Sequence, residues 1–554
     1  MERNDIKTIA ITDIGSKGEG IGRVENFVVF VDNCLPGDIC EIKILKMKKS
    51  YAYGKLVKVI TPSVHRVQSP CAVSDKCGGC AFLHMDYEAQ LKLKENKVRE
   101  SLKRLGGFDD VNMLPIEPMN TPKAYRNKAQ IPVRQESGRI KIGYYAKNSH
   151  RVIENEGCYI QTDIVEEVVG IVRDYMIENG VTAYDEEKML GMVRHIVVRS
   201  AFGTGEVMVV LVLNAKYKTM PKNHARLIES LAQIDGMKSI CFNYNNESTN
   251  VVMGEKNEFV WGDEYIIDRL GEFGIKISPH SFYQINPAQT LKIYEYARDF
   301  AEISKDDVVI DAYCGTGTIG LFFAKAAARV YGIESSPYAV NDAILTAEVN
   351  GANNIEFILG KAEEKIYEFV NKDIQVDIVV VDPPRKGCDM KFLEAVVKLQ
   401  PKKIAYISCN PDTLARDLKF LAEYGYEIRL LKSFDMFCHT VHVECVVLLQ
   451  RKEHAELLDF KHFASHVTFE DEGEKARNKV LICKSKHRTR VEYTLKTSNA
   501  PIGVATYSTQ DILPDNLRAL LPSPDELARI VGAFDDDAVG SLGLGINDGD
   551  ISEE

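Results

Sequence analysis

From residue 308 the chain alternates short apolar runs with amphipathic stretches, and no other feature constrains its fold as tightly. Val308-Val-Ile-Asp311 has the apolar character of a buried strand, and Ala312-Tyr-Cys-Gly-Thr-Gly-Thr-Ile-Gly320 reads as a glycine-rich turn opening a helix. Glu334 ends the next apolar run, 23 residues after Asp311. A third run, Val376-Asp-Ile-Val-Val-Val-Asp382, stops at Pro383-Pro-Arg-Lys-Gly387, where the prolines stiffen the turn and aim Asp382 away from the strand. The fourth, 404–408, delivers Cys409 to a strand-to-helix turn: Asn410 and Pro411 break the run, and Leu414, Leu418 and Leu421 then recur at helical spacing. Such alternation specifies an α/β domain with an open parallel sheet, whose ligand crevice lies at the carboxyl ends of its strands. Glu334, Asp382 and Cys409 all fall there. The position suits a nucleophilic cysteine and equally a buried structural one, and this stretch alone does not separate the two.

A chain of 554 residues is long for one domain and suggests three or four. It contains no run of about 18 apolar residues, and Met-Glu-Arg-Asn-Asp is too polar an opening for a signal peptide, so a soluble cytoplasmic protein without a membrane partner is expected. Its 13 cysteines should then be reduced, which assigns clustered ones to metal binding or catalysis. The net charge of −11 conceals an asymmetry. Residues 1–150 carry 25 Lys and Arg against 17 Asp and Glu, whereas 453–554 carry 11 against 19. A basic front on an acidic protein fits a polyanion held by part of the surface, or a merely solvated basic face.

Residues 6–60 consist of short alternating runs at 9–14, 27–31, 39–45 and 56–60, separated by Gly, Pro and Asn, as in a small antiparallel β-barrel of the oligonucleotide-binding kind. Gly15-Ser-Lys-Gly-Glu-Gly-Ile-Gly-Arg23, followed by Phe27-Val-Val-Phe-Val31, resembles the TRAM domain, an RNA-binding module. Lys43, Lys46, Lys48, Lys49 and Lys55, with Tyr51 and Tyr53 among them, would supply phosphate contacts and stacking faces.

Cys71-x5-Cys77-Gly-Gly-Cys80 offers three thiolates from one tight loop, and Cys158 is the best candidate for a fourth. Zinc sites of four cysteines usually show paired Cys-x2-Cys halves, whereas three clustered cysteines plus a distant one are more typical of an iron–sulfur cluster. Zinc, with His84 as a possible ligand, and unliganded thiols are the alternatives. Helical spacing at Leu91, Val98 and Leu102 predicts a helix over 87–105, whose lysines and arginines (Lys92, Lys94, Lys97, Arg99, Lys103 and Arg104) read as a solvated face. Tyr125-Arg-Asn-Lys128, Arg134, Arg139, Lys141 and Arg194-His195 lie in β-rich sequence and suit recognition of a folded single strand.

The glycine turn does not match the dinucleotide fingerprint, because a single Gly-x-Gly follows Asp-x-Tyr-Cys, a form similar to that of S-adenosylmethionine-dependent methyltransferases. Four segments coincide with that form: Ser278-Pro-His-Ser-Phe-Tyr-Gln-Ile-Asn286, Asp382-Pro-Pro-Arg-Lys-Gly387, Ser408-Cys-Asn-Pro-Asp-Thr-Leu-Ala-Arg-Asp417, and Asp435-Met-Phe-Cys-His-Thr-Val-His-Val-Glu444. Together they resemble the RNA (uracil-5-)-methyltransferase family over residues 1 to about 452, with one departure, Cys438 where the family usually has proline. The resemblance implies a multidomain protein: a TRAM-like, OB-like barrel at 1–62, a central α+β domain at 63–275 with a 4Fe-4S cluster on Cys71, Cys77, Cys80 and Cys158, and a Rossmann-like methyltransferase domain at 276–452. It implies that Gln284, Tyr313, Gly315, Glu334 and Asp382 hold S-adenosyl-L-methionine, that Cys409 is the nucleophile and that Glu444 is the base. The implied substrate is a uridine of 23S rRNA, since tRNA-specific relatives generally lack both barrel and cysteine cluster, with tRNA as runner-up; a monomer is expected. A non-catalytic RNA-binding scaffold is the competing reading. Residues 453–554 lie outside this family. Their segments 480–486, 491–495, 501–505 and 521–527 resemble the end of PD-(D/E)xK nuclease-like proteins of the YhcG type, without the metal-binding acidic residues, so a truncated nuclease-like appendage with an acidic tail and no nuclease activity is expected.

Overall fold

In the computed structural model, residues 1–136 and 138–452 are described; the nuclease-like appendage expected at 453–554 lies outside the described residues. Strands Ile6–Ile14, Gly20–Val24, Phe27–Val31, Ile39–Met47 and Tyr51–Thr61 form a closed five-stranded barrel. Period-two alternation turns Ile9, Ile11, Val29, Val31, Ile42 and Ile44 into its core. Gly22 is required by close approach: a Cβ there would sit 2.4 Å from the Ala10 carbonyl oxygen.

The central segment builds a six-stranded sheet in the order Lys256–Gly262, Met237–Tyr244, Val207–Leu213, Val193–Ser200, Lys128–Glu136 and Arg139–Ile142. Helices Asp163–Asn179 and His224–Leu231 cover one face through Val168, Val172, Met176, Leu227 and Leu231. The other face packs Val197, Met208, Val210 and Val212 into a cluster with Ile319, Phe322 and Phe323 of the helix that follows Val308–Ala312. Burial on both faces explains why Val207–Leu213 is apolar throughout instead of alternating.

This burial also changes the reading of the central basic residues. Arg134, Arg194 and His195 are only 5%, 4% and 5% exposed, not displayed toward RNA. Arg134 Nη1 donates to the Arg194 carbonyl at 2.9 Å and its guanidinium lies over the Tyr145 and Tyr184 rings. Arg194 Nη1 donates to the carbonyls of Asn245 and Glu247, both at 2.8 Å. Guanidinium groups bonded to carbonyls this way tie loops to a sheet, although the Nε of each is left without a hydrogen-bond partner.

The eight-stranded sheet runs Ile355–Leu359, Arg329–Glu334, Val308–Ala312, Ile378–Val381, Lys403–Ser408, Glu444–Arg451, Tyr426–Phe434 and Met113–Glu117. Its first five strands are parallel, and Glu444–Arg451 is antiparallel to both neighbours. The edge strand Met113–Glu117 comes from far upstream and pairs parallel to Tyr426–Phe434. Helix Tyr87–Ser101 continues as a π-helical turn, Leu102–Gly106, and buries Val98 and Leu102 against this sheet. No helix among the described residues is long and apolar enough to cross a membrane.

Candidate active site

Chain order along the sheet reverses at Val308–Ala312, whose neighbours are Arg329–Glu334 on one side and Ile378–Val381 on the other. Side chains that follow these strands must converge on the crevice outside their carboxyl ends. A cavity of about 930 Å³ lies there. Gln284, Tyr313, Gly315, Glu334, Asp382, Cys409 and Glu444 all line it, together with Phe282, Tyr294, Arg385 and Phe437.

Tyr313 leaves its strand with φ 65°, a left-handed backbone that non-glycine residues adopt only when the surroundings enforce it. Gly317 follows at φ 74°, and a Cβ there would lie 2.6 Å from the Phe357 ring. Within this turn the Gly315 N–H donates to Glu334 Oε2 at 3.1 Å, and the Ser336 N–H to Glu334 Oε1 at 2.7 Å. Glu334 is thereby fixed at the rim beside the glycine turn, where an acidic group can accept from a pair of vicinal hydroxyls.

Gln284 is set by the central sheet. Asn127 Nδ2 donates to the Gln284 carbonyl at 2.8 Å and its N–H to the Ile285 carbonyl at 2.9 Å, while Arg199 Nη2 donates to the carbonyls of Pro279 and Ser281. Asn286 then caps helix Pro287–Ala301 and donates to the Met436 carbonyl at 3.0 Å. The segment 278–286 is a bridge between the two sheets.

Cys409 follows Lys403–Ser408 and precedes helix Pro411–Glu423, whose N-cap Asn410 accepts from the Asp412 N–H. Asn410 Nδ2 donates to the Arg385 carbonyl at 3.0 Å, joining the Cys409 turn to the Pro383-Pro-Arg-Lys turn. Burial pushes the Cys409 thiol up to about 11, with Glu444 and Asp382 adding to it and Arg385 opposing. Glu444 is 3% exposed, and its Oε2 has no hydrogen-bond partner. Burial and then the neighbouring Asp382 hold its carboxyl well above the usual range, with Arg385 opposing. Burial likewise raises Asp382 to about 7, against the hydrogen bond from Gln284. The pocket therefore places a thiol beside carboxyls that release protons reluctantly, and a reluctant acid is a strong base once ionised.

A second cavity of about 350 Å³ is lined by Cys71, Cys77, Cys80 and Cys158, with Arg126, Lys128, Phe282 and Tyr283. The Gly78 N–H donates to the Tyr145 carbonyl at 2.9 Å, and a Cβ at Gly78 would lie 3.1 Å from that oxygen, a tight approach that glycine makes without crowding. Burial raises the Cys80 thiol, and Cys158, Cys77 and Cys71 raise it further. His84 does not line this cavity. Among the described residues no group of three or more His, Cys, Asp or Glu side chains is arranged to hold a metal ion.

The sequence profile of the tRNA (uracil-5-)-methyltransferases matches residues 86–452, and that of the TRAM domain matches 2–57. The chain belongs to this uracil-5 methyltransferase family. An uncharacterized RNA methyltransferase of Clostridium tetani is 44% identical to this methyltransferase over 449 residues, covering 81% of this chain and 97% of the relative. A second, from Oceanobacillus iheyensis, is 43% identical over 453 residues, covering 82% and 98%. Among solved structures, the Pyrococcus abyssi tRNA (uracil-54, C5)-methyltransferase in complex with S-adenosyl-L-homocysteine superposes with a TM-score of 0.64 at 26% identity, over 80% of this chain and 100% of that one. This methyltransferase thus uses S-adenosylmethionine and acts on RNA.

Proposed function

We propose that the protein methylates carbon 5 of a uridine in 23S rRNA through a covalent adduct on Cys409. The observation that carries the reading is the common pocket of Cys409, Asp382 and Glu444, three residues from separate strand ends lining one cavity with Glu334 and the glycine turn. Carbon 5 of uracil is a poor nucleophile. In this reading the Cys409 thiolate adds to carbon 6 and pushes electron density to carbon 5. Bound S-adenosylmethionine would supply an electrophilic methyl to carbon 5, its methyl–sulfur bond breaking to leave neutral S-adenosylhomocysteine. Glu444 then removes the remaining carbon-5 proton, the double bond re-forms, and the thiolate leaves carbon 6. Gln284, Tyr313, Gly315, Glu334 and Asp382 hold the cofactor, and the target base is unstacked to enter.

Residues 1–62 and 63–275 capture RNA in this scheme, while 276–452 carry the chemistry. Cys71, Cys77, Cys80 and Cys158 would hold a 4Fe-4S cluster that shapes and orients the RNA-binding surface. What supports this reading is that the four cysteines line one cavity and that three clustered cysteines with a distant fourth are more typical of an iron–sulfur cluster than of zinc. The reaction transfers no net electrons, so the cluster has no redox step to perform. Transfer RNA is the second reading, favoured by the P. abyssi structure. Mapping 5-methyluridine by mass spectrometry in 23S rRNA and tRNA from a deletion strain decides between them; loss from tRNA alone overturns the ribosomal reading.

A further inference from the structure

The loop 435–443 joins the antiparallel strands Tyr426–Phe434 and Glu444–Arg451, and Phe434 and Glu444 are paired across it. Glu444 is therefore the first strand residue after the loop, and the setting of the loop decides where its carboxyl enters the pocket. The Phe437 ring, from the same loop, lines the pocket with it.

Beyond the bond of Asn286 to Met436, several upstream parts of the chain grip this loop. Lys94, 1% exposed, donates from Nζ to Asp435 Oδ1 at 2.5 Å and to the Phe437 carbonyl at 2.9 Å. Tyr87 donates its hydroxyl to Asp435 Oδ2 at 2.6 Å. The Ala81 and Phe82 N–H groups, directly after Cys80, both donate to the His439 carbonyl, at 2.8 and 3.0 Å. The barrel reaches the loop at Gly18, where a Cβ would lie 3.1 Å from Val441 Cγ1. The buried thiol of Cys438 donates to the Asp435 carbonyl at 3.4 Å, so a side-chain bond closes the turn.

A buried ion pair stabilises little compared with apolar residues of the same size, but it tolerates few arrangements, because displacing either partner strands a charge. Cys409 follows the strand paired with Glu444–Arg451 at Ser408 and Cys445, and it has a further anchor that the loop does not supply, the bond of Asn410 to the Arg385 carbonyl. We infer that Asp435, clamped by Lys94 and Tyr87, is a positioning residue that sets Glu444 for removal of the carbon-5 proton and leaves addition of the thiolate untouched. The inference rests on the covalent reading above.

The test uses the full chain with unmodified 23S rRNA and tRNA transcripts tritiated at uracil carbon 5 and with methyl-labelled S-adenosylmethionine, comparing wild type, Glu444→Gln, Lys94→Met and Tyr87→Phe. Tyr87→Phe removes one hydroxyl and leaves the Lys94–Asp435 pair, so it carries the test where Lys94→Met fails to fold. Methyl incorporation into the protein–RNA adduct should stay within about threefold of wild type, while tritium release slows about tenfold or more, so that methylated adduct accumulates as in Glu444→Gln. Equal loss of incorporation and release, or no change in either, overturns the positioning role while Glu444→Gln still traps adduct. Absence of adduct in Glu444→Gln on both RNAs overturns the covalent reading and this inference with it.

Discussion

The Gln284 amide donates to Asp382 Oδ2 at 3.4 Å across 98 residues of sequence. That bond favours the charged carboxyl, yet burial outweighs it and raises Asp382 to about 7. A carboxyl raised by folding binds its proton more tightly in the native protein than in the unfolded chain, so its contribution to stability declines as pH climbs from about 4 to about 7. The cofactor-free Asp382→Asn variant should therefore melt a few degrees above wild type at pH 8.5, by about half that margin at pH 5.5, and level with it near pH 4. A lower melting temperature at pH 8.5, read by differential scanning calorimetry, rejects the assignment.

Cys409 and Glu444 should fail at different stages. Cys409→Ala should bind RNA but form no adduct. Glu444→Gln should accept the methyl group and stall, with turnover down by roughly 10²–10⁴-fold and a methylated protein–RNA species surviving denaturing electrophoresis. Adduct persisting in Cys409→Ala, or mapping by peptide analysis to Cys314, Cys388, Cys438 or Cys445, rejects the scheme.

Glu334 is held by two backbone N–H groups at the mouth of the glycine turn. Truncating it to alanine removes charge-assisted hydrogen bonds worth about 1.5–3 kcal/mol, so affinity for S-adenosylhomocysteine should fall about 10- to 100-fold. Isothermal titration calorimetry measures this, and an unchanged Kd removes Glu334 from the cofactor site.

Protein purified without oxygen should be brown and hold about four irons per chain, and Cys80→Ser should lose most of them. Stoichiometric zinc with no visible absorption would replace the cluster by the mononuclear alternative.

Much of the pocket was legible because residues that line it follow apolar runs directly. Asp382 after Val376–Val381, Cys409 after 404–408 and the turn after Val308 announce themselves by the break in pattern, and a parallel sheet brings such breaks to one edge. The barrel was readable for a similar reason, in its period-two alternation. Lys94 was not: it sits in a lysine-rich helix and reads as solvated, and its partner Asp435 is 341 residues away. Arg134 and Arg194 look like RNA ligands in sequence because burial by aromatic rings and carbonyls leaves no local trace. Met113–Glu117 shows only a short apolar run, and its place beside Tyr426–Phe434 depends on the whole fold being assembled.

That edge strand has a genetic consequence. A fragment beginning at 276 would present Tyr426–Phe434 with a bare row of N–H and C=O groups, an invitation to pair with any other exposed strand. Recombination that traded the front of this gene for another would leave the back half sticky and short of a strand. The two halves can be inherited, duplicated or lost together far more readily than they can be exchanged.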